Sequence, residues 1–545
     1  MNKQLNLKWV SETIGDEYKK WRKGDVVYIQ AQTGTGKTFF ITGDEKVKGL
    51  LDKMPCWEKL IYICNRIELK RQLKIDLLNK FGIRIKRDDK NKDMVDVDWL
   101  DNQTIINNVV ITSYHAIADG ELGNIYKDES NSVSDFDYIV CDECHFFLTD
   151  AGFNNKTYLA YEELVMKFHP RSIKIFISAT MDEVGKSIEA VHELHKKGSL
   201  RGFNNYNLYK YSTGIDYNYL NVKYFKSLDD IIQIIKNDNT NEKWLVFVTS
   251  SVNGEKISQK LKELNITCTF INKDSVNDDK KNITTKSKFE SKVVVSTKCL
   301  DNGINIKDVD VQNLVVMAYD KVTFIQECGR LRIKIDDARY VNLYIPMMDT
   351  RCFLGKLKSN YEPKNVDLEL FRKSKDDFKH KYNNNLNKVP HDIFYLAKNN
   401  EWEINLLGSS RLHNDIKFSE NMLEKFKHDK FAFVKEQLRW LDLEDTFDKF
   451  NLIENVVDNE EIESLEKYLE DNIGRLYLKE NKHELIGRIS LSDSRGRLQK
   501  SPSLIKEYLE KNFNMTLRYD CETSRMIDGV KKKYKSCWKI CKIVC

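Results

Sequence analysis

Residues 26–39 read Val-Val-Tyr-Ile-Gln-Ala-Gln-Thr-Gly-Thr-Gly-Lys-Thr-Phe, an apolar β-type run that drops straight into a glycine-bearing loop closed by Lys-Thr. Ala31, Gln32, Thr33, Gly34, Thr35, Gly36, Lys37 and Thr38 fit the phosphate-binding pattern GxxxxGK[ST], with alanine in the first position. Gly34 and Gly36 let the backbone curl so that successive N–H groups face a polyphosphate, and the helix that follows turns its positive end to the same anion. Lys37 is then placed for the β- and γ-phosphates, and the Thr38 hydroxyl for one magnesium position. The plainer reading is a strand-turn-helix whose glycines serve only the turn. The strand before and the Gly-Lys-Thr after, both in their required places, weigh against it.

Outward from this loop, β-like runs alternate with helical ones as far as residue 215: Val26–Ile29, Leu60–Ile63, Val109–Thr112, Tyr138–Cys141 and Ile173–Ser178. Nearly continuous apolar strands separated by helices mark a parallel sheet covered on both faces. A second series follows at Trp244–Thr249, Thr267–Ile271, Lys292–Ser296, Val311–Ala318 and Tyr340–Pro346. The stretch Arg201–Leu228, rich in Asn and Tyr, is expected to be the hinge. The fold expected is α/β: two tandem parallel-sheet domains, 1–215 and 216–355, then a mainly helical extension. The extension is divided into a helical accessory domain, 356–487, and a basic module, 488–545.

A second element of chemistry lies at Phe136–His145, Phe-Asp-Tyr-Ile-Val-Cys-Asp-Glu-Cys-His, a buried strand delivering two adjacent acids at its C-terminal end. Ligands bind at the carboxyl ends of strands in open α/β sheets, which puts Asp142 and Glu143 beside the phosphate loop. Asp142 is suited to hold magnesium with Thr38, and Glu143 to polarise the water that attacks a γ-phosphate. The Cys141-x-x-Cys144 spacing is half a zinc pattern, but no second cysteine pair follows nearby.

Asp142-Glu143-Cys144-His145 is a DECH box, and with the phosphate loop it resembles superfamily-2 helicases of the DEAD/DEAH type. Further segments match that family in order. Tyr62 to Arg66 resembles motif Ia and Ile111 to Tyr114 motif Ib, which implies that Asn65, Arg66, Thr112 and Ser113 touch a nucleic-acid backbone. Ser178-Ala179-Thr180 resembles motif III, which couples hydrolysis to strand movement. In the second domain Val246 to Ser250 resembles motif IV, and Ser296-Thr297-Lys298 running to Asp301-Asn302-Gly303-Ile304-Asn305 resembles motif V. The resemblance assigns Thr249 and Thr297 to nucleic acid and Gly303 to the nucleotide. Gln326 to Arg332 resembles motif VI, whose Gln326, Arg330 and Arg332 join Lys37 and Glu143 as catalytic residues. Two departures stand out. The family pattern QxxGRxxR places its second arginine one residue later than Arg332, which favours Arg330 as the arginine that reaches the γ-phosphate. No adenine-reading Gln motif precedes Val26, which argues against the DEAD-box subgroup. The implied cofactors are ATP and Mg2+.

Beyond residue 350 the resemblance ends. The aromatic residues Trp402, Phe426, Phe431, Phe433 and Trp440 are expected in a core rather than as a base-stacking platform. Ile462, Leu465, Leu469, Ile473 and Leu476 share one face at helical spacing. Near the C-terminus a helix from Ser503 to Lys511 precedes a basic turn, Lys531-Lys532-Lys533-Tyr534-Lys535, and a strand-like run from Cys537 to Val544. This order looks like a winged-helix module, with Lys532 and Lys533 expected on phosphate. Cys537-x-x-x-Cys541-x-x-x-Cys545 fits no usual zinc knuckle.

Composition permits all of this. Charged residues make up 31% and only 6 of 545 residues are proline, which suits a helix-rich globular chain. A net charge of +5 allows nucleic-acid binding through local patches without demanding it. Twelve scattered cysteines read as small buried hydrophobes in a reducing compartment, and no signal sequence or membrane anchor is read at the N-terminus, so a cytoplasmic location and no membrane partner are expected. The resulting expectation is a nucleotide-driven nucleic-acid helicase or translocase, acting on DNA in preference to RNA. The alternative is an ATP-gated clamp or remodelling subunit without unwinding activity. Protein partners would belong to a replication, repair, restriction or defence assembly. Without a recognisable nuclease cluster, a self-contained restriction enzyme is not expected.

Overall fold

The computed structural model describes residues 3–44, 47–88, 95–122, 132–152, 156–197, 206–298, 305–383, 385–397, 399–453, 459–478, 481–489, 491, 499–527 and 530–543. The chain divides into two compact units, Met1–Glu454 and Asn455–Cys545.

The first unit is built on two sheets. In chain order the first contains β1 (Val26–Gln30), β2 (Leu60–Ile63), β3 (Ile105–Ile106), β4 (Val109–Thr112), β5 (Tyr138–Asp142), β6 (Ile173–Ser178) and β7 (Leu208–Ser212). Their spatial order is β3-β4-β2-β5-β6-β1-β7, with all neighbours parallel except β3 and β4. Every residue of β2, β4 and β6 is buried, because helices cover both faces of the sheet. One face carries the core around Ile29, Tyr62 and Ile175, and the other that around Ile61, Ile139 and Phe176.

The second sheet contains β8 (Leu220–Phe225), β9 (Lys243–Phe247), β10 (Cys268–Ile271), β11 (Val293–Ser296), β12 (Val311–Val316) and β13 (Val341–Pro346). A small antiparallel hairpin, β14 (Phe394–Leu396) and β15 (Trp402–Ile404), stands apart. The short β16 (Leu452–Ile453) then returns to the edge of the second sheet, whose order is β10-β11-β9-β12-β13-β8-β16. Both seven-stranded sheets are therefore of the tandem RecA-like parallel kind. The expected hinge, Arg201–Leu228, is corrected: β7 extends the first sheet and β8 begins the second, so the connection narrows to residues 213–219. Alternating Tyr and polar residues hid β7, an edge strand with only one side chain fully buried.

The extension is not a separate accessory domain. Phe431, Phe433, Val434 and Trp440 belong to the core of the second seven-stranded sheet, together with Phe324 and Phe353. Leu407 belongs to the core of the first. Trp402 and Phe378 belong to a separate, smaller cluster. The aromatic residues are thus core, as expected. The dividing line falls at 454 rather than 487, because Leu469, Leu485 and Ile489 pack with Ile505, Leu509, Trp538 and Ile540 in the core of the terminal unit.

Within that unit the order is a helix (Asn459–Asp471), β17 (Leu476–Tyr477), two helices (Lys482–Ile489 and Pro502–Phe513), β18 (Met515–Ile527) and β19 (Val530–Lys542). The strands form one antiparallel sheet, β17-β19-β18. The shared helical face expected over 462–476 is interrupted: the helix stops at Asp471, Gly474 takes φ +84°, and Leu476 lies on β17. Lys531–Lys535 form no turn either; they lie on β19, with Ser524 opposite Lys533 and Met526 opposite Lys531. Charged residues without apolar alternation gave no strand signal there.

Candidate nucleotide-binding cleft

The loop from Ala31 to Gly36 is braced on every side. Ala31 N–H donates to the Ser178 carbonyl (2.9 Å), and Thr35 Oγ1 donates to the Gln32 carbonyl (2.7 Å). Gln32 is buried, and its side-chain amide makes two bonds to the backbone of Asp216, donating from Nε2 to the carbonyl (2.9 Å) and accepting from the N–H (2.8 Å). Gly34 and Gly36 take φ +95° and +82°, a region that only glycine enters without strain. Thr33 lies against Gly329 of the second domain so closely that a Cβ there would fall 2.5 Å from its hydroxyl. Lys37 and Thr38 open the helix Lys37–Thr42.

The acid pair stands at the end of β5. Asp142 is buried, its Oδ2 accepting from the Tyr62 hydroxyl (2.6 Å) and its Oδ1 from the Glu143 N–H (2.9 Å). Burial and the neighbouring Glu143 push its carboxyl up, against the pull of Lys37. Glu143 takes φ +49°, a strained backbone for a residue with a side chain, here at the point where the strand must turn its carboxylate toward the loop. Its Oε1 lies 2.6 Å from Lys37 Nζ and its Oε2 3.3 Å from His145 Nδ1. Burial raises the Glu143 carboxyl, but Lys37 and His145 outweigh it and hold it well below the usual range, so it is ionised. His145 Nδ1 also lies 3.0 Å from Ser178 Oγ, which ties the DECH box to the Ser-Ala-Thr segment.

Across the cleft, Leu331 forms an isolated bridge with Ile306, with Ile306 N–H on the Arg330 carbonyl and Arg332 N–H on the Ile306 carbonyl (both 2.9 Å). Leu331 points into the core. Arg332 is only partly buried and reaches the cleft although it comes one residue early in the pattern. Arg332 lines a cleft of about 1260 Å³ with Gly34, Gly36, Lys37 and Thr38. Arg330 is buried behind it, donating from Nη2 to Gln326 Oε1 (2.9 Å). Burial and the adjacent Arg330 draw the Arg332 guanidinium down to about 10, with Glu143 opposing. Lys307, Lys334 and Arg339, which sequence reading did not single out, line the same cleft.

The oxygens of Thr38 and Asp142 are the hard donors that suit magnesium, and two protein ligands are enough when the nucleotide's phosphates supply others. No cluster of three or more His, Cys, Asp or Glu side chains able to hold a metal occurs among the described residues.

A second cleft, of about 560 Å³, gathers Arg66, Thr249, Thr297, Lys298 and Gln326 with His145 and Arg411. It therefore brings together three of the residues expected on nucleic acid. The others stand differently. Asn65 donates to Asp150 Oδ2 (2.8 Å), Thr112 is buried at the end of β4, and Ser113 Oγ caps the helix Tyr114–Asp119 by accepting from Ala116 N–H (3.2 Å). Lys532 and Lys533 are exposed on β19. Gly303 lies outside the described residues. Arg411 had no signal in the sequence, being a lone arginine on a helix beyond the motifs.

Two family models match the chain: "Type III restriction enzyme, res subunit" over residues 5–183 and "Helicase conserved C-terminal domain" over residues 224–334. No curated protein matches the sequence at significance. Among solved structures, the chain is similar to S. cerevisiae Dbp5 bound to RNA and ADP BeF3, at 17% identity and a TM-score of 0.40, over 62% of this chain and 83% of that one. It is similar to Mss116p bound to ssRNA and AMP-PNP, at 14% identity and a TM-score of 0.44, over 78% and 91%. The Mycobacterium smegmatis helicase Lhr bound to ssDNA and AMP-PNP matches at 14% identity and a TM-score of 0.40, over 62% and 46%. No helix among the described residues is long and apolar enough to cross a membrane.

Proposed function

The chain belongs to the superfamily-2 helicases, and we propose that it hydrolyses ATP to track along a nucleic-acid strand, DNA in preference to RNA. The observation that carries this reading is that Lys37 and Thr38 of the first domain line one cleft with Arg332 of the second, while Glu143 lies 2.6 Å from Lys37.

The chemistry follows from these side chains. Lys37 is the cation for the β- and γ-phosphates, and in the described state Glu143 holds it. A triphosphate that draws Lys37 away takes from Glu143 the cation that keeps its carboxyl low, so Glu143 becomes more basic when a water must be deprotonated. Magnesium held by Thr38 and Asp142 would neutralise charge on the phosphates. Arg332 adds a positive charge from the second domain on the γ-phosphate side, which makes domain apposition depend on that phosphate. The second cleft, with Arg66, Thr249 and Thr297, suits backbone contact, and contact with phosphate carries no sequence information. The basic strand β19 supports a further contact, to duplex DNA.

The test is hydrolysis measured in parallel with single-stranded DNA, duplex DNA and RNA, followed by strand displacement on tailed duplexes. A rate that rises with single-strand length before levelling off supports tracking. Stimulation already complete on an oligomer that barely covers the site favours an ATP-gated clamp.

A further inference from the structure

The helix Leu406–Phe426 lies beyond both motor domains in sequence, yet it is anchored in both. At its N-terminal end Leu407 is buried with Phe146, Phe147 and Leu148 in the core of the first domain. Toward its C-terminal end Met422 is buried with Phe353 and Phe433 in the core of the second. Twenty-one residues of helix span about 30 Å at about 1.5 Å each. Such a rod, fixed at both ends, sets the separation of what it joins.

Arg411 sits between these anchors. Its Nη1 donates to the Leu148 carbonyl (3.1 Å), its Nη2 lies 3.9 Å from Asp320 Oδ1, and its Nε lies 3.5 Å from Asp415 Oδ2. Leu148 belongs to the short helix Phe146–Thr149 that follows the DECH box. Asp320 caps the helix Lys321–Cys328, accepting from Thr323 N–H (3.0 Å), and that helix leads into Gly329, Arg330 and Arg332. One guanidinium thus joins the helix that follows Glu143 to the helix that precedes the arginines. Asp320 Oδ2 also lies 3.8 Å from Lys298 Nζ, within the second domain, and a further ion pair, Lys321 with Asp182, is half exposed on both sides, where such a pair contributes little.

We propose that Arg411 is a positioning residue for hydrolysis: it holds the helix Lys321–Cys328 at its working distance from the acid pair, so that Arg332 faces the phosphate loop. The inference rests on the reading of the cleft as an ATP-hydrolysing site. Arg411 acts through Arg332 and touches no substrate itself.

The test is a double-variant cycle in the full chain, with kcat and KM for ATP at saturating single-stranded DNA. Arg411→Ala lowers kcat about tenfold with KM changed less than about twofold, since misplacing a transition-state contact costs rate rather than binding. Arg411→Lys, which keeps the charge, recovers part of the loss. Asp320→Asn, which keeps the cap and removes the charge, lowers kcat in the same direction. In an Arg332→Ala background, Arg411→Ala changes single-turnover hydrolysis by less than about twofold, because the group it positions is gone. A kcat within about twofold of the wild type for Arg411→Ala, or a loss as large in the Arg332→Ala background as without it, overturns the proposal. Hydrogen exchange gives a readout that needs no activity: amides of residues 146–149 and 321–328 exchange faster in Arg411→Ala, and unchanged exchange at both overturns it too. A wild-type chain that hydrolyses no nucleotide overturns the reading of the cleft, and the exchange measurement then decides the tie by itself.

Discussion

Lys37 Nζ lies 2.6 Å from Glu143 Oε1, so the cation placed for the phosphates and the acid placed for the attacking water hold each other. Both side chains are largely buried. Lys37→Ala should therefore abolish hydrolysis, by at least about a hundredfold, and weaken nucleotide binding while the fold persists. Nucleotide titration and a hydrolysis assay on the variant check this. Hydrolysis at the wild-type rate would mean that the loop is not the nucleotide site.

Gln32 couples the same loop to the hinge through its paired bonds to Asp216, and Asp216 Oδ2 in turn accepts from Asn6 N–H (2.7 Å). Gln32→Ala leaves a buried N–H and a buried carbonyl without partners, at a cost of about 1–3 kcal/mol each. The expected result is a lowered melting temperature. Gln32→Glu keeps the acceptor and loses the donor, so it should fall between the wild type and the alanine variant. Equal melting of all three proteins would show that these bonds do not hold the hinge.

How far the sequence could be read depends on where its signals were local. The motor strands were legible because residues such as Leu60–Ile63 and Ile173–Ser178 are apolar on both faces, and buried parallel strands allow little else. Lys37, Asp142 and Glu143 were legible because a loop and a strand end fix their positions. The place of Arg332 in the cleft was not, because it turns on backbone pairing with Ile306 rather than on helical spacing. The ownership of the C-terminal helices was hidden too, since Leu407, Phe433 and Leu469 each join a core assembled from distant sequence.

The lysines of β19 give a prediction about salt. If Lys532 and Lys533 each contact a phosphate, replacing both with alanine should weaken DNA binding and flatten the slope of log affinity against log salt by roughly one unit per lost contact. Hydrolysis without DNA should be unchanged. An unaltered slope in a salt titration would make this strand a solvated surface.

Lys174 tests the packing of the first domain through pH. Its ammonium is buried against the carbonyls of Val165 and Lys167 (both 3.3 Å), and burial pushes it down to about 8. Below about pH 8 it is charged in folded and unfolded chains alike, and the cost of burying the charge is fully present. Between about pH 8 and its ordinary value of about 10.4 the folded protein has released the proton and the unfolded chain keeps it, so stability rises with pH. Relative to Lys174→Met, the wild type should gain on the order of 3 kcal/mol across that window. Denaturation of both proteins at a series of pH values reads the difference, and a constant difference would contradict the burial of a charged amine.

Arg332 is proposed to couple the two domains through the γ-phosphate, and Glu143→Gln puts that coupling to the test. The variant keeps the shape of Glu143 and loses its basicity, so hydrolysis should fall by at least about a hundredfold while ATP still binds. With the phosphate retained, the protein should be held in one nucleic-acid affinity state. The measurement is the affinity for single-stranded DNA with and without ATP, for Glu143→Gln alone and combined with Arg332→Ala. ATP should shift the affinity of the single variant by about tenfold or more and leave that of the double variant unmoved. If ATP does not move the affinity of Glu143→Gln, or moves both variants equally, the two domains are not coupled through Arg332.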